Sequence, residues 1–112
     1  MKKYEKISDK YFKLKNQLRE ECIKYLFKQL NYKKHNGTII FTRPDIDYSL
    51  SVVYDGGSHP EYASNAFSFI ESIYIEDNKI YLSIDDCSAW SIDNCSTDEL
   101  YDICSFIDEY KL

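Results

Sequence analysis

Apolar residues recur at three- and four-residue steps through the first third of the chain, which is the spacing of one face of an α-helix. The members of this stripe are Tyr11, Leu14, Leu18, Cys22, Tyr25 and Leu26. Beyond Cys22 the stripe widens to include Ile23, Phe27 and Leu30, so we expect the second half of the helix to be more deeply buried. Taken over residues 9–31, the helix would be about 34 Å long. Its first half, which has a narrower stripe and more charge, should be less covered.

The predicted start of this helix is Ser8, whose hydroxyl could accept a hydrogen bond from an unpaired amide of the first turn. Ile7 before it and Phe12 after it have the spacing of a hydrophobic staple. Farther along, Glu20 and Lys24 stand four residues apart, in the order that favours an ion pair on a helix surface. These features predict a capped helix with a charged outer face.

Residues 38–54 change to the two-residue alternation that is typical of β-strands. An Asn36-Gly37 turn precedes the first predicted strand, residues 38–42. Residues 46–54 alternate apolar and polar positions, which predicts a second strand with one buried face. Residues 55–65 have no period and many breakers, so we expect one long loop there.

Two further strands are predicted on either side of Asp77-Asn78, a pair that is typical of tight hairpin turns. The expected inner face of the third strand is Phe67, Phe69, Ile73 and Ile75, and its other face carries Ile70 and Tyr74. The expected inner residues of the fourth strand are Ile80, Leu82 and Ile84. Residues 90–92 could add one more short strand.

Ser96 and Glu99 form a capping-box pattern, which predicts the start of a C-terminal helix. The apolar face of this helix is Leu100, Ile103, Cys104 and Ile107. The connections between strands are too short for crossovers, so the sheet should be mainly antiparallel. The sequence therefore predicts one α+β domain over residues 1–112. It would have two layers, a four-stranded mainly antiparallel sheet with a long N-terminal helix and a C-terminal helix, in the order α-β-β-β-β-α.

Charge divides the chain at Pro44. Residues 1–44 carry 12 basic and 4 acidic side chains, and residues 45–112 carry 2 basic and 15 acidic ones, which gives formal net charges of +8 and −13. Such a division predicts one surface that attracts anions and one that repels them. Charges interrupt the first apolar positions, and no apolar run approaches the roughly 18 residues of a membrane span. These observations predict a soluble cytoplasmic protein that does not use a membrane.

The four cysteines include no C-x-x-C pair, so we do not expect a zinc site. We expect the cysteines to be free thiols. Cys22 and Cys104 lie on the apolar stripes of the two helices, where cysteine acts as a small buried hydrophobe. Cys87 and Cys95 flank Trp90 and could approach each other, so a functional thiol or a disulfide stays open there. The two histidines match no catalytic spacing: His35 and His59.

Pro44-Asp45 followed by Asp77-Asn78-Lys79 matches the pattern of a metal-dependent nuclease, in which carboxylates hold a metal and a lysine polarises the phosphate. That chemistry needs the second acid and the lysine within a strand, whereas Asp77-Asn78 is typical of a turn. A second acidic group comprises Asp85, Asp86 and Asp93, to which Asp55 could be added. This group lacks the glycine and alternating ligands of a calcium loop. We therefore assign no catalytic residue, no metal ligand and no cofactor.

Two surfaces could bind a partner. The basic outer face of the N-terminal helix is represented by Lys10, Lys13, Lys24 and Lys28. The acidic sheet-and-loop face offers three amphipathic anchors: Tyr62, Tyr81 and Trp90. Nucleic-acid binding is less favoured than protein binding because arginine, the preferred residue for phosphate recognition, is scarce. The chain contains only Arg19 and Arg43.

The sequence thus predicts a small intracellular protein that binds or inhibits another protein, and catalysis is not expected. The first alternative is a nucleic-acid-associated protein that binds through the basic helix, and the second is a small metal-dependent hydrolase. A homodimer is a further option. The spacing of Tyr4, Ile7, Tyr11, Leu14 and Leu18 resembles a coiled-coil seam, although two heptads fall short of the usual three or four. Equally, the basic helix could meet the acidic sheet of a second copy.

Overall fold

The computed structural model describes residues 2–41, 50–54, 66–84 and 89–112. Its elements are helix α1 (Lys3–Leu30), strands β1 (Thr38–Ile40), β2 (Ser51–Tyr54), β3 (Ala66–Glu76), β4 (Lys79–Ile84) and β5 (Trp90–Ser91), a 3₁₀ turn (Ile92–Asn94) and helix α2 (Thr97–Tyr110). The predicted α+β class and the order α-β-β-β-β-α are confirmed, with β5 as a short additional strand.

The predictions for residues 42–49, 55–65 and 85–88 lie outside the described residues. They include the following side chains: Arg43, Asp45, Asp55, His59, Tyr62, Asp85, Asp86 and Cys87.

Strand β3 is the centre of the sheet. It pairs antiparallel with β1, β2 and β4, and β4 pairs antiparallel with β5. The β3–β4 connection is the predicted turn: Asp77 has φ 53° and Asn78 has φ 62°. Two successive positive φ angles are the geometry of a type I′ hairpin turn, whose twist matches that of the flanking strands.

The beginning of α1 differs from the prediction. The helix starts at Lys3 rather than after Ser8, and Lys2 precedes it without a side-chain cap. The staple predicted between Ile7 and Phe12 is wrong, because both side chains lie exposed, at 61% and 60%. No glycine or proline lies within residues 3–8, and the charge of Glu5 in the first turn is favourable at the positive end of the helix. The helix can therefore begin before the predicted cap at Ser8.

The surface ion pair on α1 also differs. Lys24 contacts Glu21 at 3.4 Å, three residues away, in place of the predicted pair with Glu20. Both side chains of the observed pair are mostly exposed, so its contribution to stability is small.

A bulge in β3 changes the predicted faces of that strand. Ile70 pairs with Ile84, but Ser72 pairs with Ser83, so Glu71 is an extra residue opposite β4. One extra residue reverses the alternation of side chains. Ile70 is therefore buried, whereas Phe69, which was predicted to face inward, is 54% exposed.

One hydrophobic core joins the helices to the sheet. The buried residues of α1 are Cys22, Leu26 and Leu30, and those of α2 include Leu100, Ile103 and Ile107. The sheet contributes Ile39, Ile73, Ile80, Leu82 and Ile84. The prediction that the second half of α1 is the more buried is confirmed.

The start of α2 is fixed by the predicted capping box. The Ser96 amide donates to Glu99 Oε1 at 2.8 Å, and the Glu99 amide donates to Ser96 Oγ at 3.1 Å. These reciprocal bonds satisfy amides that the helix itself leaves unpaired. The cap matters for the site described next, because it fixes where α2 begins beside α1.

Candidate interaction surface

The first half of α1 carries an uncovered apolar stripe, which we call the α1 seam. Its members are Tyr4, Ile7, Tyr11, Leu14 and Leu18, with exposures of 65%, 61%, 56%, 57% and 40%. A helix of 28 residues is about 42 Å long, and the longest dimension of the molecule is 53 Å. The exposure of the seam residues shows that the first half of the helix lies beyond the part of the fold that covers its second half.

The α1 seam continues the stripe that packs in the core. Its steps of three and four residues run on from Leu18 to Cys22 and Leu26, which are 6% and 0% exposed. Helix α2 covers this inner part, and the cover ends near Asp98, which lies beside Leu18. The transition from buried to exposed therefore coincides with the N-terminus of α2.

A hollow of about 230 Å³ lies on the α1 seam. It is lined by Tyr11, Leu14, Lys15 and Leu18 from α1 and by Asp98 from α2. The Lys15 ammonium group lies 5.5 Å from the centre of the Tyr11 ring and donates a hydrogen bond to the Tyr11 hydroxyl at 3.3 Å. Lys15 thus forms one wall of the hollow while its charge stays at the rim.

Arg19 is used by the fold. Its Nη1 atom donates to the carbonyl oxygen of Cys95 at 2.7 Å. Its Nη2 atom donates to the carbonyl oxygens of Ile92 and Asp93 at 3.3 and 3.2 Å. This fork joins α1 to the 3₁₀ turn before α2, so Arg19 is not a free cation on the basic surface. Sequence reasoning missed this role because the three acceptors lie 73 to 76 residues away in the chain.

The structure does not gather the four predicted lysines into one patch. All four are exposed, but they extend from Lys10 to Lys28, about 27 Å along the helix axis. Lys10 borders the α1 seam. By helix periodicity, Lys13 and Lys24 lie on the opposite face, and Lys24 contacts Glu21.

The predicted aromatic anchors do not share one face of the sheet. Tyr81 is half-buried and stacks on Tyr74, with ring centres 5.8 Å apart. Trp90 pairs with Leu82, which is buried in the core, and Trp90 itself packs partly against that core. Because adjacent strand residues face opposite sides, Tyr81 and Trp90 point to opposite faces of the sheet. The third anchor, Tyr62, lies outside the described residues.

The three described cysteines are free. Burial raises the pKa of the Cys95 thiol to about 12, and Glu99 adds to that shift. Burial also raises the pKa of Cys104 to about 12, and its thiol lies 3.6 Å from the carbonyl oxygen of Cys22. These thiols are protonated at neutral pH and therefore poor nucleophiles. The prediction of a buried core cysteine is confirmed for Cys22, whereas Cys104 is half-buried and packs against the core.

The residues of the nuclease pattern that the structure describes lie at a hairpin. Asp77 is exposed within the turn, and Lys79 is the exposed first residue of β4. A hollow of about 240 Å³ near this turn brings Lys79 beside Asp93. In the described ranges, no three His, Cys, Asp or Glu side chains form a group that could hold a metal. The hydrolase alternative thus gains no support from their geometry.

No protein-family model, curated protein or solved structure matches the chain. The comparisons therefore provide no relative from which a function could be transferred. In the described part of the chain, neither helix combines the length and apolarity needed to cross a bilayer.

Proposed function

We propose that this protein is a non-catalytic module that binds another protein through the α1 seam. The observation that carries the proposal is the uncovered stripe itself, in which four of the five apolar side chains are more than half exposed. Water makes contiguous apolar surface unfavourable, and such patches typically mark interaction sites.

The residue types of the stripe support a protein partner. Tyr4 and Tyr11 are large, rigid and amphipathic, so they tolerate water when free and provide contact area when bound. Ile7, Leu14 and Leu18 add aliphatic surface along the same face. The hollow on the stripe offers a place in which a partner side chain could be buried, as in the desolvated pockets of binding hot spots.

The nucleic-acid alternative has less support. Nucleic-acid surfaces combine cations with stacking aromatics, and arginine is the favoured cation. Arg19, the arginine within the described residues, donates its hydrogen bonds to carbonyl oxygens of the fold. Lysine does accompany the exposed tyrosines, since the Lys15 ammonium group lies 5.5 Å from the centre of the Tyr11 ring. The case against nucleic acid therefore depends on the arginine, which is the better phosphate ligand and is engaged by the fold.

Site-directed photocrosslinking tests the proposal. The full chain carries Leu14→p-benzoylphenylalanine in one sample and Lys13→p-benzoylphenylalanine in a matched control, both incubated in a lysate of the cells that produce the protein. We expect a discrete protein adduct from position 14 alone, and we expect Tyr11→Asp in the same chain to abolish it. Mass spectrometry identifies the adduct.

Two outcomes would overturn the proposal. Adducts of equal yield from positions 13 and 14 would show that the exposed stripe has no preference for a partner. An adduct at position 14 that disappears on nuclease treatment would assign the stripe to nucleic acid instead.

A further inference from the structure

We infer that the partner presents an amphipathic α-helix whose apolar stripe is flanked by acidic residues, and that this helix lies along the α1 seam in line with α2. The inference rests on the proposed function and specifies the chemistry of its partner. Three observations carry it: the spacing of the seam, the composition of its hollow and the charge on its flanks.

The spacing of the α1 seam favours a helical partner. Its five residues alternate steps of three and four, which is the pattern of positions a and d in a heptad. In the second half of α1 the same stripe already packs against a helix, α2. The seam rises about 21 Å from Tyr4 to Leu18, which corresponds to about four turns of a partner helix.

The hollow has the composition of a coiled-coil hole. Its α1 lining, Tyr11, Leu14, Lys15 and Leu18, occupies positions i, i+3, i+4 and i+7. Four residues in this arrangement receive one apolar side chain of a facing helix in knobs-into-holes packing. The hollow measures about 230 Å³ and is open to solvent, so a side chain of a facing helix can enter it.

The flanks that α1 itself provides are basic, and α2 adds one acidic residue, Asp98, at the inner end of the seam. With Tyr4, Tyr11 and Leu18 at the a positions, the flanking e and g positions hold Lys3, Ser8, Lys10, Lys15 and Gln17. The acidic residues of this half, Glu5 and Asp9, fall at positions b and f, away from the seam. Flanking residues of paired helices face each other, so carboxylates on the partner would be favoured.

The same flanks argue against a second copy of α1 as the occupant. In a symmetric pair of these helices, every flanking position would be lysine or neutral on both sides, so no opposite charges would meet. Helix α2 of a second copy has an acidic outer face, with Asp98 and Asp102 exposed, but its apolar face is already buried in its own core. A separate amphipathic helix with acidic flanks would provide both the opposite charges and a free apolar face.

Two synthetic peptides test the inference. Each has three heptads with leucine at positions a and d; one carries glutamate at e and g, and the other carries lysine there. Fluorescence anisotropy measures the binding of each labelled peptide to the full chain. We expect the acidic-flank peptide to bind at least about tenfold more tightly than the basic-flank peptide.

Charge-reversed variants test whether the lysines that flank the α1 seam cause the preference for the acidic-flank peptide. Lys10→Glu with Lys15→Glu should invert the order of the two peptides. The matched control, Lys6→Glu with Lys13→Glu, makes the same change in net charge away from the seam and should keep the order. The preference of the wild type should also shrink at high salt, because the flanking charges are exposed.

Three results would overturn the inference: equal binding of both peptides, binding of neither, or binding that survives Tyr11→Asp with Leu14→Asp. A dimer of the chain that excludes the acidic-flank peptide would identify a second copy as the occupant and would also overturn it. The proposed function is tested by the crosslinking experiment, independently of the peptides. A specific protein adduct at position 14 without peptide binding would keep the binding module and reject the acidic helix.

Discussion

At the residue scale, Arg19 shows how one side chain fixes the relation between α1 and α2. Its guanidinium group donates to three carbonyl oxygens of the segment that leads into α2. Lysine is a point charge and cannot reproduce this fork. We expect Arg19→Lys to lower the free energy of unfolding by about 1–3 kcal/mol, because partly buried carbonyl groups lose charged donors. Chemical denaturation measures this change.

Lys13→Met is the matched control for Arg19. It removes an exposed cation from the same helix and should change the free energy of unfolding by less than about 0.5 kcal/mol. Equal effects of the two substitutions would contradict the structural role of Arg19.

His35 should make stability fall at acid pH. Burial and the charge of Lys34 lower the pKa of His35 below its usual value, and a backbone interaction with Leu112 opposes this only in part. Its Nε2 atom is buried and has no hydrogen-bond partner within the described residues. The unfolded chain therefore binds a proton first. The stability contribution is complete above about pH 6.5, the unfolded value, and is lost as the pH falls from there through the lower pKa of the folded state.

Urea denaturation between about pH 8 and about pH 5.5 measures this effect. His35→Gln removes the titrating group, so its urea midpoint should fall less than that of the wild type across the same range. An identical pH dependence of the two proteins would show that other groups cause the loss.

At the element scale, the β3–β4 turn depends on two residues with positive φ. Asn78, at φ 62°, tolerates this region better than most residues because its short amide can bond locally. We expect Asn78→Ala to lower the free energy of unfolding by about 1 kcal/mol, whereas Asn78→Gly should not lower it. Asn16→Ala, at an exposed helical position, is the control and should have little effect. Thermal or urea denaturation of the three variants tests this order.

One helix start and one hairpin turn were predicted correctly where they depend on a short local sequence pattern. The Ser96–Glu99 capping box and the Asp77-Asn78 turn are both confirmed, and each depends on residues that lie within one helical or hairpin turn of each other in the sequence. The bulge in β3 was not predictable in this way. Phe69 and Ile70 are both apolar, so the alternation has no unique phase there, and pairing with β4 decides which one is buried.

The candidate site was predictable only in part. The heptad spacing from Tyr4 to Leu18 is visible in the sequence, but the same spacing continues to Leu26, which is buried. Only the position of α2 beside α1 divides the stripe into a covered and an uncovered part. That position depends on contacts such as Arg19 with Cys95, which are 76 residues apart and carry no local signal.

At the scale of the whole molecule, the fold consists of a packed body and a projecting helical segment. The radius of gyration is 16.0 Å, whereas a compact chain of this length would have about 13 Å. The body contains the core, and the projecting segment contributes little to it. The exposed side chains of the α1 seam should therefore be dispensable for folding. Substitutions there can weaken binding without lowering the free energy of unfolding.

This separation predicts that the α1 seam can be made polar without unfolding the protein. We expect each of Ile7→Gln, Tyr11→Gln and Leu14→Gln to change the free energy of unfolding by less than about 0.5 kcal/mol. Leu26→Ala on the covered part of the same stripe should lower it by about 2–5 kcal/mol. Urea denaturation of the four variants gives both values.

The dependence of the unfolding midpoint on protein concentration distinguishes a seam that faces water from one buried between two copies of the chain. A seam that faces water in the free protein gives a midpoint that is constant over about a hundredfold range of protein concentration. A seam buried between two copies would instead give a midpoint that rises with concentration, together with a loss of several kcal/mol for the polar variants. That result would mean that the stripe already has its partner in a second copy, despite the lysines on its flanks.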